Sequence, residues 1–115
     1  MLLGAVSGAS IGLFFHEERW MGGYGSFRRR LIRLGHISFF GLGFVNLFYG
    51  LSLNAVPLPV LHAQVASASF ILGAVTMPLC CFLAAWRPGL RHLFPIPVVS
   101  VTAGVLSTLA GWPFR

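Results

Sequence analysis

The stretch RRRLIRLGHISFFGLGFVNLFYGLSLNAVPLP, residues 28–59, decides the fold. It opens on four arginines, Arg28, Arg29, Arg30 and Arg33. From Leu34 to Leu53 it carries no charge at all. A helix needs about 20 predominantly apolar residues to cross a hydrocarbon core of ~30 Å, and this run supplies them. Pro57 and Pro59 then stand within three residues of each other and stop helix and strand alike. A basic cluster, an apolar run of bilayer length and a proline turn together predict a membrane span entered from a basic side.

Reading onward, His62 to Trp86 predicts a further span, ended by Arg87-Pro88-Gly89 and followed by Arg91 and His92. Pro95 and Pro97 fit the first turn of another helix, where a missing N–H costs little. That helix is expected to reach Trp112, with Pro113-Phe114-Arg115 as a tail. Reading backward, MGGYGS (residues 21–26) is a glycine-rich break. Before it lies the apolar run Met1 to Phe15, too short to span at about 1.5 Å per residue. Extending the helix to Trp20 repairs the deficit and leaves His16, Glu17, Glu18 and Arg19 at the interface. A cleaved signal peptide needs positive charge before its apolar core, and here the charge comes after. The expectation is one all-α domain, 1–115: an integral membrane bundle of four transmembrane helices at about 2–20, 34–53, 62–86 and 95–112.

Composition agrees. The chain is 57% hydrophobic and 9% charged, with a mean hydropathy of +0.84. Soluble domains carry about 25% charged residues, so a surface this poor in charge suits lipid rather than water. The net charge of +6 does not point to nucleic acid. All eight basic residues are arginine, and Arg28, Arg29, Arg30, Arg33, Arg87 and Arg91 sit in two segments between apolar runs. That is topogenic charge, with lipid headgroups as the expected partners of the guanidinium groups. The loop between the second and third spans carries none. The basic loops are therefore expected in the cytoplasm, of a bacterial inner membrane, with both termini extracytoplasmic. Trp20 and Trp86 then fall at the inner interface, and Tyr49 and Trp112 near the outer one, as an aromatic belt requires. Cys80 and Cys81 are neighbours in an apolar run and are not expected to bond, because the ring would be strained.

Lipid tails are as apolar as leucine, so small residues must bring such helices together. The first helix offers Gly4, Gly8, Gly12 and then His16 at intervals of four. The second offers His36, Phe39, Gly43, Asn46 and Gly50 at three and four. The third offers His62, Ala66, Ser69, Gly73, Thr76 and Cys80, and the fourth Ser100, Gly104, Ser107 and Gly111. Tight packing is the first reading of every stripe. Asn46, nearest a midplane, is expected to hydrogen-bond across to another helix. Pro78 should bend its helix and free the carbonyl of Ala74, which Thr76 or a neighbouring helix could satisfy.

This topology gathers His16, His36 and His92 near the cytoplasmic interface and leaves His62 at the other. The plainest reading has them half solvated among headgroups. A sharper one makes two of the three, His16 with His36 before any pair that includes His92, a bis-histidine site for haem b, with glycines leaving room for the macrocycle, or gives one histidine a chlorophyll-type pigment. A divalent metal on His16, Glu17, His36 and His92 has suitable donors but no recognisable spacing. The two carboxylates, Glu17 and Glu18, are adjacent, which excludes paired-carboxylate catalysis. There is no Asp for a Ser-His-Asp triad and no Lys for a phosphate-binding loop. The leading expectation is a non-catalytic or cofactor-assisting subunit of a larger membrane complex, in respiratory or photosynthetic electron transfer. A b-type haem protein comes next. A small oligomeric channel or transporter lined by Asn46, Ser69 and Thr76 comes third.

Overall fold

A computed structural model describes residues 1–113 of the chain and shows it to be all-helical. The expected tail falls partly outside this range, at Phe114 and Arg115. The helices are α1 (Leu2–Phe14), α2 (Phe27–Ala55), α3 (Val60–Trp86) and α4 (Pro95–Ala110). Short 3-10 turns, Trp20–Gly22 and Pro88–Leu93, lead into α2 and α4. Three segments are long and apolar enough to cross a membrane: α2, α3, and Pro88–Ala110, which joins the second 3-10 turn to α4. The chain is thus a multi-pass membrane protein.

Two boundaries differ from the sequence expectation by more than two residues. Helix α1 ends at Phe14 rather than Trp20. At about 1.5 Å per residue it rises roughly 20 Å, short of a bilayer core. Glu17 and Glu18 would stand at the negative end of a longer helix. In addition, the carbonyls of Phe15 and Glu17 are taken sideways by the Arg29 guanidinium, at 3.1 and 2.8 Å. Helix α2 begins at Phe27 rather than Leu34 because Ser26 caps it, its hydroxyl accepting from the Arg29 N–H at 3.2 Å. Arginine is a good helix former, so the helix runs out past its apolar window. The reversal between the two helices uses three successive positive φ angles, at Met21, Gly22 and Gly23. Two of these positions are glycine, which adopts that region without strain.

Consecutive helices pack antiparallel in a row, α1 on α2, α2 on α3 and α3 on α4. The result is not a closed bundle. Its cross-section is flattened, 27 by 18 Å against a length of 53 Å. Helices α1 and α3 flank a groove over α2, and α2 and α4 flank a larger one on the opposite face, with Met77 of α3 at its floor.

The glycines set the separations. A Cβ at Gly4 would sit 3.0 Å from Phe39 and Phe40, and one at Gly43 3.1 Å from Met1. Gly35 lies against Cys81 and Phe82, Gly73 against Val101, Gly104 against Phe70 and Gly111 against His62. Gly12, Gly41 and Gly50 meet nothing within 4 Å. Side-chain hydrogen bonds add to this packing. Asn46 Nδ2 donates to Phe70 O on α3 at 3.1 Å, and also to Leu42 O on its own helix. Tyr49 Oη donates to Ala63 O, and Ser107 Oγ to His62 O. Pro78 stands inside α3, and Thr76 donates to Leu72 O rather than to the freed Ala74. Cys80 and Cys81 are free and buried.

Candidate functional site at the arginine-rich end

The antiparallel row collects charge at one end. The start of α2, the end of α3 and the approach to α4 meet there, bringing Arg28, Arg29, Arg30, Arg33, Arg87 and Arg91 together with Trp20 and Trp86. The loop 56–59 at the other end is uncharged; Pro59 and His62 lie against Gly111 there, and Tyr49 donates to Ala63 O.

Consecutive residues of a helix point about 100° apart, so the run Arg28-Arg29-Arg30 is divided among three directions. Arg28 faces α3 and donates to the carbonyl of Trp86, the last residue of that helix, at 3.2 Å. Arg29 faces α1 and is fully buried. Besides its bonds to Phe15 O and Glu17 O, its guanidinium lies over three rings. The centroids are 4.1 Å away at Tyr24, 4.9 Å at Phe15 and 5.3 Å at Trp20. Its Nε and Nη1 have no hydrogen-bond acceptor. The aromatic faces and the negative end of α1 offset the buried charge instead. Tyr24 Oη also donates to Phe15 O, at 2.7 Å. Arg29 therefore does not meet lipid headgroups, unlike the expectation from sequence. It pins α1 to α2.

Arg30 faces neither neighbour. It is exposed, and no hydrogen bond or ion pair engages its guanidinium. Arg33 is exposed and donates to Tyr24 O at 3.5 Å. Arg87 is exposed beside the Trp86 ring, and Arg91 is exposed in the turn before α4.

The histidines are dispersed. His16 was expected to continue the Gly4, Gly8, Gly12 stripe, but α1 ends two residues earlier, and His16 lies exposed in the turn. His92 is exposed in the 3-10 turn. His36 is half-buried on α2. Its ring lies against the bare backbone of Gly8, its Nδ1 is 3.3 Å from Ser7 Oγ, and its edge meets Phe40. The space that Gly8 leaves is occupied by the imidazole itself, so it does not make room for a macrocycle. A cleft of about 320 Å³ beside it is lined by Gly12, Phe15, Arg33, His36 and Ile37, among others. Among the described residues no group of three or more His, Cys, Asp or Glu is placed to hold a metal.

Sequence reasoning missed the division of labour among the arginines. The signal was present: Arg29, Ile32, His36 and Gly43 repeat at helical spacing, so a helix begun at Phe27 puts Arg29 on the α1-facing stripe.

Fold and site together define a small multi-pass helical membrane protein with one strongly basic end. Comparison with protein-family models, with curated proteins and with solved structures gives no match.

Proposed function

We propose that the chain is a small, non-catalytic integral-membrane subunit that packs within a larger membrane complex. In this reading it is a four-helix element of a bacterial inner membrane, with its arginine end in the cytoplasm. One observation supports it above the others. Helix α1 follows one face of α2 only as far as Gly43. The same face continues through Leu47, Gly50 and Asn54, all exposed, and a Cβ at Gly50 would meet nothing within 4 Å. Small residues on an uncovered helical face let another helix approach closely, which is how helices associate in lipid. The histidines at the arginine end make an electron-transfer assembly the first class to test, with any redox group held by the partner. His36 is already packed on Gly8, and His16 and His92 are exposed.

The test is gentle purification of the full chain, with native mass and visible spectrum recorded together. The expected result is co-migration with a larger membrane partner, lost in Gly50→Phe while the thermal stability of the chain is unchanged. A colourless protein running at its own mass alone overturns the reading. A reducible Soret band lost in His36→Ala would replace it with a haem-binding role.

A further inference from the structure

Two of the three consecutive arginines that open α2 already hold a neighbouring helix, Arg28 at the end of α3 and Arg29 at the end of α1. The third has no helix to hold. Arg30 stands one turn before Leu34, on the face of α2 that continues through Leu34, Ile37, Ser38, Gly41 and Val45. Those residues form one bank of the groove between α2 and α4, a cavity of about 510 Å³. Pro97, Val98, Val101 and Thr102 form the other bank. From this arrangement we infer that the groove is a binding site for one anionic phospholipid, with an acyl chain between α2 and α4 and the phosphate on Arg30.

Two independent features argue for that occupant. The first is the chemistry of the walls. Only Ser38 and Thr102 carry hydroxyls there, and both donate to their own helix, to Gly35 O at 2.7 Å and Val98 O at 2.8 Å. The walls therefore offer no free side-chain donor, which suits a hydrocarbon chain. Gly41 keeps the mid-groove open, since nothing lies within 4 Å of where its Cβ would be. The second is charge complementarity at the mouth. An exposed guanidinium without a partner presents a planar fork that matches a phosphodiester. Arg91, also exposed and without a partner, belongs to the turn that leads into α4, on the other bank. Basic pockets between membrane helices on the cytoplasmic side recognise anionic lipid in this way. The inference is independent of the subunit reading, which rests on a different face of α2.

The experiment is native mass spectrometry of the full chain in detergent, titrated with dioleoyl phosphatidylglycerol or dioleoyl phosphatidylcholine. One phosphatidylglycerol should bind about fivefold more tightly than phosphatidylcholine, the size expected for one arginine near an anionic headgroup. Arg30→Gln should erase that preference, whereas Arg33→Gln, whose guanidinium donates to Tyr24 O and lines the cleft beside Gly8 and His36, should keep it. Gly41→Phe, which fills open space, should weaken both lipids. Equal binding of the two lipids by the unsubstituted chain, or a preference that survives Arg30→Gln, overturns the proposal. So does a dimer that Gly41→Phe abolishes, because the groove would then belong to a second copy of the chain.

Discussion

The guanidinium of Arg29 donates to the carbonyl of Phe15 at 3.1 Å and lies 4.9 Å from the centre of the same residue's ring. One residue of α2 thus holds the end of α1 by its backbone and its side chain at once. Arg29→Gln should destabilise the protein by about 1.5–3 kcal/mol, the value of hydrogen bonds to a charged group. Arg29→Lys should recover little, because an ammonium lacks the planar fork and stacks less well on rings. Arg30→Gln should stay within about 0.5 kcal/mol, as surface changes do. Thermal unfolding in detergent measures all three. Limited proteolysis between Phe14 and Tyr24 should quicken only in the Arg29 variants.

The second prediction concerns Gly8, where an added methyl group would land on the His36 imidazole. Gly8→Ala should cost about 1–3 kcal/mol, as overpacking does. Gly12→Ala, one turn further along α1, adds its methyl to open space and should cost nothing. His36→Ala in the Gly8→Ala background should restore part of the loss, with a coupling of about 0.5–3 kcal/mol. Additive single effects would mean that the imidazole gives way without strain.

Asn46 bridges α2 and α3 through its bond to Phe70 O. Asn46→Leu should destabilise the pair by about 0.6–2 kcal/mol, the measured span for interhelical hydrogen bonds in lipid. Asn54→Leu, exposed at the end of the same helix, should be neutral. Unfolding in mixed micelles of increasing denaturing detergent compares the two.

Orientation can be read with a single cysteine. Gly25 is exposed at the arginine-rich end, and no contact lies within 4 Å of its Cβ position, whereas Cys80 and Cys81 are buried. Gly25→Cys should react with an impermeant maleimide only after the cells are opened, as a cytoplasmic arginine end requires. Labelling of intact cells would reverse the proposed topology.

Much of the fold was legible in the chain. The apolar run 34–53, the prolines at 57 and 59 and the pair Pro95 and Pro97 placed three long helices, because bilayer length and missing backbone donors act locally. The ends of α1 and α2 were not legible in the same way. Phe15 and Glu17 leave the helix partly because a side chain from another helix takes their carbonyls, and hydropathy carries no trace of such a bond. His16 fell off its stripe for the same reason.

The sequence by itself determined that this is a helical membrane protein with its charge at one end. Both properties follow from summed transfer free energies and from the order of residues along the chain. Only the tertiary structure decided what each charge does. Arg28, Arg29 and Arg30 are identical and adjacent, yet one closes α3, one is buried under α1, and one is left exposed without a partner. The helix turns about 100° between them, and the neighbour that each one meets is set by packing.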